Sequence, residues 1–205
     1  ILAHGADWFR ELGTEHSPGP FIATVSGDTP LAGVGEFPMG VTLQQVIDDS
    51  DAAAGDHLRE IHAPERRLDA EGLASRLEGM CLLTLATTTR DGRPITGPVD
   101  GVFYRGAFHF GSSPASVRFQ HLDARPAVSA THLPGEHFAV SVHGVAQRID
   151  VDADEGAELR RTLLDIYLPR YGDAWLEVLD GAAYARIEAR RLFAFWMPDD
   201  GGAAG

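Results

Sequence analysis

A strand end, three hydroxyls and a guanidinium fall within the eight residues Gly111-Ser112-Ser113-Pro114-Ala115-Ser116-Val117-Arg118. This order suits the capture of an anion. Ser112, Ser113 and Pro114 predict the start of a short helix running to about Asp123, with hydroxyls capping its free N–H groups and proline tolerated in its first turn. The amides and dipole of such a helix start favour negative charge. Ser116 would add a hydroxyl donor, and Arg118 a bidentate fork suited to phosphate. The same residues also describe an ordinary Ser-capped helix whose surface Arg pairs with Asp123 or Glu136. Taken alone, they favour that plainer arrangement.

Other reactive side chains give less. The chain has a single cysteine, Cys81, which excludes an intrachain disulfide, a Cys-rich zinc site and a Cys-ligated iron–sulfur cluster. Cys81 opens a buried strand with no basic neighbour, so an inert core thiol is expected. Among nine histidines, His132, His137 and His143 lie on neighbouring strand segments, but their spacing fits no zinc motif and no metal site is expected. The acidic clusters at Asp48–Asp51 and Asp150–Glu155 lack the glycine and ligand spacing of calcium loops. No acid or base residue is nominated for catalysis.

The elements that position these residues follow from periodicity. Phe21–Val25 alternates as a short strand, and Thr42 caps a helix carrying Leu43, Val46 and Ile47. Leu68, Leu73 and Leu77 mark a second short helix closing at Gly79. Strands are then expected at Cys81–Thr88, Pro94–Tyr104, Ala107–Gly111, Ala127–His132, Glu136–Ile149 and Tyr184–Trp196. Turns fall at Asp91-Gly92, Arg105-Gly106 and Pro134-Gly135. Asp154 is expected to cap a longer helix that Pro169 and Gly172 break and Trp175–Leu179 extends. The pattern predicts a mainly β fold, a small barrel with α-helices inserted after its third strand and before its last.

The chain has 205 residues, 44% of them hydrophobic, enough for one good core. Its net charge of -13 makes double-stranded nucleic acid and anionic membrane surfaces poor partners. No apolar run approaches the roughly 20 residues that span a bilayer. No basic-then-apolar leader is evident, and the chain opens at Ile1 rather than Met, so residues upstream are expected. A soluble cytoplasmic protein is the resulting expectation.

Leu83-Thr84-Leu85-Ala86-Thr87, Asp91-Gly92-Arg93-Pro94, Gly97-Pro98-Val99, Phe108–Ser113, Ser116-Val117-Arg118 and Arg125–Ser129 follow one another in an informative order. With Val142–Ala146 and Ala185–Phe195, they resemble the pyridoxamine-phosphate-oxidase-like split-barrel family over residues 73–198. The resemblance implies FMN, or in a sister branch the deazaflavin F420, in a groove between the two copies of a homodimer, acting on a small-molecule substrate. By position it implies that Ser116 and Arg118 hold the cofactor's phosphate. Pro98, Val99, Phe110, Gly111, Ser112 and Ser113 would wall the ring and ribityl chain, and Phe195 and Trp196 would reach the partner's flavin. Val117 replaces a second basic residue usual in the vitamin-processing oxidases, so a flavin-dependent oxidoreductase of another substrate is expected. A non-catalytic flavin- or haem-binding module is the alternative from another class.

Ala6–Gly19, Val25-Ser26-Gly27-Asp28 and Glu36–Leu43 resemble the soluble-ligand-binding β-grasp region of the NADH-binding flavoprotein subunit of respiratory complex I. That likeness covers residues 3–48 and lacks the family's glycine-rich FMN/NADH segment and its cluster cysteines. The expected organisation is therefore a partial β-grasp-like segment at 1–50, with a docking role, and a helical linker at 51–72. The flavin-binding split barrel at 73–198 and a disordered tail at 199–205 follow.

Overall fold

The computed structural model describes residues 42–56 and 66–197, together with the backbone of short strands between residues 13 and 38. Strands β1 (Gly13–Thr14) and β2 (Ser17–Pro18) pair with each other, as do β3 (Pro20–Val25) and β4 (Gly33–Pro38), both antiparallel. The tail at 199–205 and the middle of the 51–72 stretch lie outside the described residues.

Six strands close into an antiparallel barrel: β5 (Met80–Thr88), β6 (Pro94–Tyr104), β7 (Ala107–Ser112), β8 (Ala127–Gly135), β9 (Phe138–Ile149) and β10 (Ala183–Trp196). Their order around the wall is β10-β7-β6-β5-β8-β9. Alternation decides which side chains fill it. Cys81, Leu83 and Leu85 of β5, Val128 and Ala130 of β8, and Phe138, Val140 and Val142 of β9 all point inward and are buried. Arg105 (φ 49°) and Gly106 (φ 76°) form the two-residue β6–β7 turn, both in the left-handed region that matches strand twist.

β10 meets its two neighbours unequally, and its short pairing with β7 leaves a seam along the rest of its length. β10 pairs with β9 along nearly its whole length but with β7 only from Ala183 to Arg186. Helix α1 (Leu43–Ala52), capped by Thr42 through a full capping box with Gln45, packs on β10. The buried Ser50 hydroxyl accepts the Leu192 N–H at 2.9 Å, satisfying a donor that no strand reaches. Ile47 enters the barrel core, and Leu43 lies against the β6–β7 turn at Gly106. Although contiguous with the N-terminal segment, α1 thus shares the barrel's core. Helix α2 (Ala70–Arg76), capped by Asp69, is tied to it, with the Ala70 N–H donating to Gln44 Oε1 at 2.9 Å.

Helix α3 (Val117–Ala124) plugs the barrel with Phe119 and Leu122. It starts later than the Ser112–Pro114 run predicts, because Ser116 is the residue that caps it. Helices α4 (Ala157–Tyr171) and α5 (Trp175–Gly181) cover the outside of β6, β7 and β10, making a second core around Val102, Leu163, Tyr167 and Tyr184. Asp154 does not cap α4; it begins a short 3-10 turn after Ala153. Pro169 sits inside α4 without breaking it, since only its last turn loses a hydrogen bond, and Gly172 (φ 68°) ends it. β8 also runs through Pro134 to Gly135, so the turn falls one step later. No helix among the described residues is long and apolar enough to cross a membrane.

Candidate functional site

Arg118 leaves the first turn of α3 and folds back over the barrel wall. Its Nη2 donates to the Pro98 carbonyl at 2.9 Å and its Nη1 to Ser112 Oγ at 3.2 Å. Pro98 is exposed on the outer face of β6 and Ser112 ends β7, so three elements meet at one guanidinium. Arg118 makes no ion pair among the described residues, with Glu136 or any other carboxylate. Asp123, which its position could have paired with, is taken by Arg148, which grips it through Nε and Nη2 at 2.9 Å each. Burial lowers the Arg118 pKa, yet a guanidinium stays charged at neutral pH. The result is a half-buried positive charge with neutral neighbours and donor capacity left over.

Ser116 is already in use. Its hydroxyl oxygen accepts the Phe119 N–H at 3.3 Å, which leaves its O–H proton as the group for a ligand. Ser113 is exposed and its carbonyl accepts the Ser116 N–H at 2.9 Å, tightening the loop into α3.

The other residues expected at the site divide. Val99 and Phe110 turn inward and are buried in the barrel core, where Phe110 stacks on Phe119 with centroids 5.9 Å apart. Only their backbone can face an outer groove. Gly111 has a packing reason of its own: a Cβ there would lie 2.7 Å from the Tyr184 ring. Trp196 ends β10, whereas Ser112 pairs with its first residue, Ala183. At about 3.3 Å per residue these points are far apart along the strand, so one chain does not bring Trp196 to Arg118. In this chain Arg76 lies over the Trp196 ring, 4.3 Å from its centroid.

A cavity of about 340 Å³ adjoins the cluster, sharing Ser112 with it and running between the outer wall of β6–β7 and helices α4–α5. Asp100, His109, Tyr167, Trp175, Glu177 and Tyr184 are on its walls. Tyr167 and Trp175 stack 4.6 Å apart and nearly parallel. His109 is 6% exposed, and burial pushes its imidazole down to about 4. Its Nδ1–H donates to the Ala107 carbonyl at 3.1 Å, which leaves Nε2 as a bare acceptor. Burial also pushes the Tyr184 phenol up to about 12.

Sequence reading missed this cavity. The available signal was His109 between Phe108 and Phe110, which alternation puts on the opposite face from two inward rings. What covers that outer face depends on the docking of α4 and α5, which strand periodicity does not encode. His132 and His143 do not converge: His132 bonds the Leu82 carbonyl at 2.8 Å, and His143 bonds Ser129 at 2.8 Å. Among the described residues, no three His, Cys, Asp or Glu side chains are grouped to hold a metal.

Comparison with known proteins places the fold. A conserved hypothetical protein, Rv2991 of Mycobacterium tuberculosis, superposes with a TM-score of 0.54 at 21% identity, covering 67% of this chain and 94% of that one. HutZ, the heme storage protein from Vibrio cholerae, superposes with a TM-score of 0.50 at 17% identity, covering 65% and 94%. The architecture is the pyridoxamine-phosphate-oxidase-like split barrel. No family model matches the chain.

The N-terminal segment has separate relatives. An NADH-quinone oxidoreductase subunit of Streptomyces coelicolor is 39% identical over 64 residues, which are 31% of this chain and 14% of the relative. The alpha subunit of the NAD-reducing hydrogenase HoxS of Cupriavidus necator is 45% identical over 47 residues, 23% and 8% respectively. The chain therefore spans only a small part of these curated relatives.

Proposed function

We propose that this chain is a flavin-binding oxidoreductase that holds the phosphate of FMN at Arg118, Ser112 and the start of α3, and acts on a small molecule as a cytoplasmic homodimer. One observation carries the reading: Arg118 is half-buried, oriented by Pro98 and by Ser112, which also borders the cavity, with no carboxylate to neutralise it among the described residues. A half-buried cation in a chain of net charge -13 calls for an anion, and a phosphate meets a guanidinium fork with paired, charge-assisted bonds. The Ser116 and Ser113 hydroxyls are placed to add donors. A flavin bound there supplies the redox chemistry; the polypeptide supplies orientation and a dry wall. Completion of the groove falls to a second copy, since Trp196 reaches no such site within its own chain.

The test separates phosphate from ring. Flavin fluorescence titrations of the purified protein should show FMN binding at least about tenfold more tightly than riboflavin, and Arg118→Ala should remove most of that preference. Equal affinity for the two flavins would overturn the phosphate assignment, and absence of binding to FMN and F420 alike would overturn the flavin reading. A preference for F420 would change the cofactor within the same reading. A Soret band in the purified protein would instead favour haem.

A further inference from the structure

We propose that the cavity between β6–β7 and α4–α5 is a binding site for a flat, hydrogen-bond-donating, neutral or cationic heteroaromatic amine, and that it excludes anionic ligands. As a substrate subsite this rests on the flavin reading above; as a binding site it stands on its own walls.

The walls are aromatic. Tyr167 and Trp175 stack with an angle of 4° between their rings, and Tyr184 adds a third ring from β10. A volume of about 340 Å³ is within the range of small-ligand pockets. Such surfaces favour a π-system.

The carboxylates and the imidazole of the lining share one bias. His109 is more than nine-tenths buried, and its Nδ1 is committed to the Ala107 carbonyl. Its Nε2 has no hydrogen bond among the described residues, and His109 borders the cavity. That acceptor is open to a donor on a ligand in the cavity. Asp100 and Glu177 also line the cavity, and no Arg does. Asp100, Glu177 and the His109 lone pair favour N–H groups on the ligand; Ser112, Ser113, Trp175 and Tyr184 can donate to its acceptors, and Arg186, beside His109 on β10, lies outside the lining. A carboxylate or phosphate on the same ring system would meet Asp100, Glu177 and the His109 lone pair, and would be repelled. The arrangement complements Arg118, which lies outside this lining: the anion goes to the guanidinium and the amine to the cavity.

Calorimetric titration of the full chain, with and without FMN, tests this with 2-aminobenzimidazole and with 2-naphthoate as an anionic probe of similar shape. The amine should bind saturably, with quenching of tryptophan fluorescence, and the naphthoate at least about tenfold more weakly. His109→Phe should weaken the amine about tenfold, and Glu177→Gln, on an exposed position that cannot threaten folding, several-fold. No saturable amine binding, equal binding of both probes, or a Glu177→Gln protein with unchanged amine affinity would overturn the proposal. Amine binding in a protein that takes up neither FMN nor F420 would overturn the cofactor reading while leaving the cavity assignment intact.

Discussion

His109 gives the folded chain an acid sensitivity of known direction. Its imidazole sits at about 4 in the native state against an ordinary 6.5, because burial disfavours the charged form. Between those values the unfolded chain binds a proton that the native chain does not. Its contribution to stability is therefore lost as pH falls from about 6.5 towards 4, up to about 3 kcal/mol in all. Urea unfolding at pH 7.5 and pH 5 should show His109→Phe losing about 2 kcal/mol less than the parent over that interval; parallel losses would contradict the assignment. Cys81 presents the opposite case. It is 1% exposed and burial pushes its thiol up to about 11, so an aromatic disulfide reagent should modify it only after unfolding. At this scale, residue type was legible but surroundings were not. Ser116 and Arg118 could be picked from spacing, whereas the capture of Asp123 by Arg148 depends on β9 passing beside α3.

Among the elements, α1 is the one whose role sequence most understated. Its Thr42 cap and apolar face were readable, but chain order grouped it with the segment before it. Packing assigns it to the β10 margin, where Ser50 holds the Leu192 N–H. Ser50→Ala should leave that buried donor unpaired and cost about 1–3 kcal/mol in urea unfolding, with hydrogen exchange accelerated first around Leu192. A variant as stable as the parent would show that the contact is dispensable. Strand bounds were legible within a residue or two, except the end of β8, which runs three residues past His132 to Gly135, because alternation and the Asp91-Gly92 and Arg105-Gly106 turns mark them physically. Helix starts were less so. Serines at 112, 113 and 116 all suit a cap, and only the path of β7 decides that Ser116 takes it.

For the molecule as a whole, a small barrel, closed or partly closed, was foreseeable from six short strands, but the use of its outer face was not. Leu82 on β5 is 56% exposed and Leu133 on β8 is 62% exposed, on a face that α4 and α5 leave uncovered. In the proposed homodimer this face is buried. Light scattering after gel filtration should give a dimer for the parent and a monomer for Leu82→Asp or Leu133→Asp, two exposed positions where folding tolerates charge. A parent that elutes as a monomer would remove the second copy from the functional proposal.

The seam beside β10 has a mechanical consequence. Only residues 39–42 separate the end of β4 from the helix that latches the barrel shut. A tether of that length spans at most about 18 Å, so it stores little slack. A pull on β3 and β4 would be passed to α1 and, through Ser50, to Leu192 on β10. The segment that resembles part of a respiratory-complex subunit is thus joined to the split barrel through one helix seated on β10.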